Sequence, residues 1–381
     1  MKIVIAPDSY KESLPAAQVA QAIEKGFREI FPEAEYVCVP VADGGEGTVE
    51  AMIAATQGRW MQERVTGPLS EPVTASWGLS GDGHTAFIEM AEASGLALVP
   101  QAARDPRLTT SRGTGELILA ALESGARRII IGIGGSATND GGAGMVQALG
   151  ARLLDGNGRE IGPGGGALAS LNRIDLTRLD SRLKRCEILV ACDVTNPLTG
   201  ENGASCIFGP QKGADAQMIL LLDENLAHYA MVIEQTLNID VTRAPGAGAA
   251  GGMGAALLAF LGAELKSGVE IVTGALNLEE HIHNCTLVVT GEGRMDSQSV
   301  QGKVPVGVAN VAAKYHKPVI GIAGSLASDV AVVHRHGIDA VFSVLNGIVT
   351  LEEALDNAFD NIYRTARNVA ATVRAGMSGA A

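Results

Sequence analysis

Aromatic residues are scarce in this chain, only 4% of its 381 residues. A core so poor in rings must be filled by aliphatic side chains. With 46% hydrophobic residues and 48 glycines, that suits an α/β architecture better than an all-β sandwich. Cations are outnumbered, 29 Lys and Arg against 42 Asp and Glu, for a net charge of −13. No Lys/Arg run stands out, which argues against nucleic acid as a partner. The five cysteines, Cys38, Cys186, Cys192, Cys206 and Cys285, match no zinc spacing and read as buried, reduced thiols of a reducing compartment. The first residues meet Pro7 and Asp8 too soon for a signal peptide. Residues 246–263 lack polar side chains but are mostly Gly and Ala, so they read as a loop and a buried helix, not a membrane span. A cytoplasmic chain without a membrane partner is expected. Also missing are GxxxxGK[ST], GxSxG, HExxH and CxxC.

What is present centres on Gly132-Ile133-Gly134-Gly135-Ser136-Ala137-Thr138-Asn139-Asp140-Gly141-Gly142. Before it stands Arg128-Ile129-Ile130-Ile131, a β-branched run suited to a buried strand. After it, residues 143–150 read as a short helix closed by Gly150. A strand, a glycine loop and a helix start form an anion cradle. Gly134, Gly135 and Gly141 would offer backbone N–H groups, and Ser136, Thr138 and Asn139 side-chain donors. Asp140 beside a phosphate needs a cation between them, which implies Mg²⁺. It could equally cap the helix.

Along the chain, residues 2–6 and 36–41 read as parallel strands, with a helix at 15–31 between them. Each strand ends in a polar loop, Pro7-Asp8-Ser9-Tyr10-Lys11 and Asp43-Gly44-Gly45-Glu46-Gly47, where open α/β sheets bind ligands. Residues 73–79 and 84–90 form a predicted hairpin across Ser80-Gly81-Asp82-Gly83. Helices are predicted at 114–124 and 216–237, and a strand at 187–192. The βα pattern resumes with strands at 286–289, 318–322 and 340–344, a helix at 304–314 and a closing helix at 351–374. The reading is one parallel domain from residues 1–62 and 284–381, with a mixed α/β domain, 63–283, inserted and a ligand cleft between them.

Acidic residues follow the predicted strands: Asp8, Asp43, Glu46, Asp140, Asp193, Glu292 and Asp296, with Lys11, Lys212, Arg294 and Lys303 as nearby cations. Converging carboxylates are costly without a metal or cations. These parts fit phosphoryl transfer, in which glycine loops and Mg²⁺ hold the nucleotide and a carboxylate receives the acceptor's proton. Asp193, expected to be buried near Cys192, is the chosen base, with Asp296 and Asp43 as rivals. Lys11 and Arg294 complete the catalytic set, and Glu292 and Asp296 join Asp140 as metal ligands. Gly246-x-Gly248-x-x-Gly251 fits a dinucleotide fingerprint without the strand that should precede it. It supports the alternative, a dinucleotide-dependent oxidoreductase acting on a small hydroxy acid.

Seven segments in order resemble the bacterial type I glycerate kinases: residues 6–11, 43–47, 134–142, 191–198 (Ala-Cys-Asp-Val-Thr-Asn-Pro-Leu), 208–214 (Phe-Gly-Pro-Gln-Lys-Gly-Ala), 245–252 and 290–296. The resemblance covers essentially the whole chain. It implies ATP-dependent phosphorylation of D-glycerate with Mg²⁺, generally to 2-phosphoglycerate. It also implies a flavodoxin-like domain, discontinuous in sequence, joined to a second domain resembling restriction endonucleases in fold. On that reading ATP meets the glycine loop and Lys212, and glycerate meets Ser9, Lys11, Asp43 and Arg294, a cation holding its carboxylate. The oligomeric state stays open, a homodimer among the options.

Overall fold

The computed structural model describes residues 1–45, 47–300 and 302–379. Glu46, one of the acidic residues named above, lies outside them. The strands are β1 (Lys2–Pro7), β2 (Glu35–Cys38), β3 (Arg59–Thr66), β4 (Pro72–Leu79), β5 (Thr85–Glu89), β6 (Arg128–Gly132), β7 (Arg152–Leu154), β8 (Arg173–Asp175), β9 (Glu187–Ala191), β10 (Glu264–Lys266), β11 (Leu287–Met295), β12 (Val319–Leu326) and β13 (Ala340–Ser343). The chain divides into two compact units, Met1–Ala55 with Ser267–Ala381, and Thr56–Lys266.

The first unit holds a five-stranded sheet, β13-β12-β11-β1-β2, in which every pairing is parallel. Counted within the unit this is the order 2-1-3-4-5 of flavodoxin-like folds, whose ligand crevice opens where the strand order reverses. That reversal lies between β1 and β11. Helix Ala16–Arg28 packs Val19, Ile23 and Phe27 against Ile3, Ile5 and Val289 in one core, closed by Ile362, Ala366 and Val369 from the last helix. β11 runs further than the sequence predicts, because residues 290–295 pair onward with β12 as far as Met295 and Leu326. Gly, Glu and Arg have little strand preference of their own, and the neighbouring strand supplies the order. The closing helix is also broken. Thr350 caps Leu351–Asp356 through a capping box with Glu353, and Asn357 ends that piece before Ala358–Gly379 begins.

The second unit is built on a six-stranded mixed sheet, β10-β9-β6-β5-β4-β3. β3, β4 and β5 pair antiparallel, and β5, β6, β9 and β10 pair parallel. The predicted hairpin is β4–β5. β7 and β8 form a separate antiparallel pair. The core joins Trp77, Ile88, Ile129, Ile131 and Val190 to Met253 and Leu257 of helix Ala249–Leu261. All five cysteines are free thiols, but only Cys285 is buried and the other four are half-buried. Among the described residues no helix is long and apolar enough to cross a membrane.

Candidate active site

In the first unit, β1 carries the chain to Asp8, whose backbone N–H donates to Gly291 O (2.8 Å), while Val41 N–H donates to Pro7 O (2.9 Å). The loops after β1 and β2 and the middle of β11 are thus drawn to one sheet end. A cleft of about 660 Å³ opens there, lined among others by Asp8, Ser9, Lys11, Val41, Gly47 and Glu50. Asp8 Oδ1 accepts from Ser9 N–H (2.7 Å), and Asp43 Oδ1 accepts from Gly45 N–H (3.0 Å). Burial, then the carboxylates of Asp43 and Glu292, push the Asp8 carboxyl up to about 7, against the pull of Ser9 N–H and Lys11. Tyr10, buried, donates to Ile322 O (2.6 Å) and fixes the loop on β12.

Glu292 is 5% exposed, and burial raises its pKa although Ser299 and Lys303 oppose the shift. It accepts from Ser299 Oγ and lies 3.5 Å from Lys303 Nζ. Sequence reasoning missed Ser299. Its only signal was the spacing of a hydroxyl seven residues beyond Glu292 in a turn. Asp296 Oδ1 accepts from Gln298 N–H (2.8 Å), and its other oxygen stands 3.4 Å from Arg294 Nε, whose side chain is 70% exposed. Asp8, Ser9, Lys11, Asp43 and Glu292 therefore interact at one strand-end cluster, and Arg294 pairs with Asp296 at the end of β11.

In the second unit, β6 delivers the glycine stretch, but only Gly134 and Gly135 are exposed, and residues 136–142 are buried. Asp140 is fully buried. Its Oδ2 accepts from Ser111 N–H (2.9 Å), Ser111 Oγ (2.8 Å) and Gly144 N–H (3.2 Å), and its Oδ1 from Gly142 N–H (3.1 Å). Burial still raises its pKa. These bonds correct the expectation of a metal ligand and of a phosphate at the helix start. The amides that would greet an anion are taken by Asp140, which clamps the loop onto helix Ala143–Ala148. Asn139 Nδ2 donates to Ser205 Oγ (2.9 Å). Lys212, 1% exposed, also points inward. Its Nζ donates to Ser136 Oγ (2.7 Å) and Thr138 O (2.6 Å), so it does not reach outward as a phosphate-binding cation.

Two further expectations change. Asp193 is exposed just beyond the end of β9, so the burial behind its choice as base is absent. The Gly246 stretch is buried and packs against the chain itself: Gly141 N–H donates to Gly251 O (3.0 Å). Gly251 has φ +66°, and a Cβ there would lie 1.9 Å from Thr138 O. A glycine is required at that crossing, and no face is left for a dinucleotide.

A profile of the glycerate kinase family matches residues 3–374. Glycerate 2-kinase of Escherichia coli (strain K12) is 76% identical over 380 residues, covering 100% of both chains. Glycerate kinase of Bacillus subtilis (strain 168) is 58% identical over 374 residues, covering 98% of each. A solved structure described as glycerate kinase 2 from Salmonella typhimurium LT2 matches with a TM-score of 0.93 at 63% identity, covering 99% of each chain. By these matches, the chain belongs to the glycerate kinase family.

Proposed function

We propose that this chain transfers the γ-phosphoryl group of ATP to D-glycerate, yielding 2-phosphoglycerate, with Mg²⁺, in the cytoplasm. Family membership supports the reaction class, and the name of the relative that is 76% identical supports the 2-position. The observation that carries the reading is the strand-end cluster of Asp8, Asp43, Glu292 and Lys11, with a carboxyl held at about 7.

A carboxylate near neutrality is poised to accept a hydroxyl proton. We assign that role to Asp8 rather than to Asp193, because Asp8 lines a cleft and is raised by its surroundings. Ser9 N–H, bonded to Asp8 Oδ1, fixes the carboxylate's orientation. Lys11 and Arg294, both exposed, hold the carboxylate of glycerate through charge-assisted hydrogen bonds.

The donor chemistry fits Mg²⁺ at Asp43 and Glu292, hard oxygen ligands whose charges already repel Asp8. It does not fit at Asp140, whose two oxygens accept four hydrogen bonds; Glu292 and Asp296 each face a cation, Lys303 and Arg294, which Mg²⁺ would displace. When bound, Mg²⁺ supplies neutralisation of charge on the transferred phosphoryl group. For ATP the fit is at Gly134 and Gly135, exposed and backbone-only. A Cβ on Gly134 would meet nothing within 4 Å, which leaves room for a phosphate. Ser136, Thr138, Asn139 and Gly141 shape that loop from behind.

ADP release that requires both D-glycerate and Mg²⁺ is expected, with the product carrying phosphate on C2 by phosphorus NMR. Asp8→Asn should lower kcat by about 10²–10⁴ with the fold retained. Turnover near that of the unsubstituted chain would remove Asp8 as the base, and ADP release indifferent to glycerate would remove the substrate.

A further inference from the structure

Lys212 is a charged side chain sealed in the second unit. It ends the turn Pro210–Lys212, after which Gly213 takes φ +94°. A Cβ on Gly213 would lie 2.3 Å from Arg104 O, so the chain reverses tightly there and Lys212 is directed inward. Its amine spans the glycine stretch, one bond to the side chain of Ser136 and one to the backbone of Thr138. Other anchors fix the same stretch from its other edges: Leu96 N–H donates to Gly135 O (2.8 Å), Ala137 N–H to Ser94 O (2.9 Å) and Thr109 Oγ1 to Ala137 O (2.9 Å). Gly134 and Gly135 alone remain exposed at its start. Burial pushes the lysine amine down to about 7, with Asp140 as the opposing charge. A site this costly for a cation is maintained where two acceptors repay it, and here both acceptors belong to the loop.

We propose that Lys212 is a positioning residue of the nucleotide loop, holding Ser136 and Thr138 from the interior so that Gly134 and Gly135 stay presented to a phosphate that Lys212 itself never touches. This rests on the nucleotide contact proposed for Gly134 and Gly135. It differs from the direct role expected of a lysine in a glycine-rich segment. The direct role needs an exposed ammonium, and this one is buried, with two of its donors bonded to the loop.

The test is steady-state kinetics on the full chain with ATP and D-glycerate varied separately, beside thermal melts. Lys212→Met keeps the volume and removes the donors. KM for ATP should rise about tenfold while KM for glycerate and kcat stay within about twofold. Ser136→Ala should raise KM for ATP to a smaller extent. Because Ser136→Ala removes a bond that Lys212→Met already removes, the double variant should be little worse than Lys212→Met alone. Independent, multiplying effects of the two would mean that each meets the phosphate separately and would overturn the proposal, as would an unchanged KM for ATP in Lys212→Met. If Lys212→Met does not fold, Ser136→Ala decides: a selective rise in KM for ATP at unchanged Tm supports the proposal, and no rise overturns it. Gly134→Ala separates this from the underlying reading. Its Cβ meets open space and its φ is not left-handed, so the fold is kept, and an unchanged KM for ATP there would defeat the loop contact itself.

Discussion

A carboxyl whose pKa rises on folding weakens the fold once it ionises, and Asp8 is such a residue. Its ordinary value is 3.8, and in the folded chain it stands at about 7. Between these values the folded chain keeps a proton that the unfolded chain has released. The fold carries no cost from Asp8 below about pH 4, loses stability as pH rises toward 7, and above that bears the full cost, on the order of 4 kcal/mol. Asp8→Asn is therefore expected to raise Tm at pH 8, with the gain shrinking to nothing near pH 4, in melts without Mg²⁺. A Tm difference that does not depend on pH would show that ionisation of Asp8 is not the source. Activity and stability then oppose one another at one residue, as is common where a site is held ready for chemistry. The sequence indicated where Asp8 and Asp43 sit, because each directly follows a strand or its short extension. Burial was not legible. Asp140 and Lys212 look like ligand-binding residues in a linear reading, and nothing local says that Ser111, thirty or so residues upstream, caps the first, or that the loop itself caps the second.

At the scale of elements, the strands that could be read were those with an apolar run of their own: β1, β2, β4, β5, β6, β9, β12, β13 and the start of β11. Others depend on a partner. β11 extends through Thr-Gly-Glu-Gly-Arg because β12 lies alongside it, and β7, β8 and β10, of three residues each, carry too little pattern to be seen. The Gly246 stretch was ambiguous for a physical reason. Glycines that permit a backbone to meet a pyrophosphate equally permit it to meet another backbone, and only the folded chain distinguishes the two. Here helix Ala249–Leu261 opens with left-handed residues at Ala250, Gly251 and Gly252, and Gly251 sits on Thr138. Gly251→Ala should be severely destabilising, by roughly 3 kcal/mol or more, since it meets both an unfavourable φ and a backbone oxygen. Denaturant unfolding measures this. A loss under 1 kcal/mol would show that the two glycine segments do not depend on that crossing.

At the scale of the molecule, the two units differ in how the chain reaches them. Among the described residues, the buried core of the second unit is drawn from residues between Val65 and Ala263, with Met61 and Leu265 packed against it, a continuous stretch. The sheet of the first needs both ends of the chain, because β1 lies between β2 and β11, and Thr290 Oγ1 bonds Ala6 O across a separation of 284 residues. Long closures of this kind are slow to form and give nothing until the distant strand arrives. Residues 1–55 alone possess β1, β2 and two helices but lack β11, the last helix and the apolar residues these add to the core, and two strands with one open face are marginal in water. A fragment of residues 56–266 is therefore expected to melt cooperatively with native-like circular dichroism, whereas 1–55 alone should show no cooperative transition, recovering order only when 267–381 is supplied. A cooperative melt from 1–55 by itself would mean that the first unit is nucleated locally, and that the central place of β1 in the sheet does not govern the order in which the chain folds.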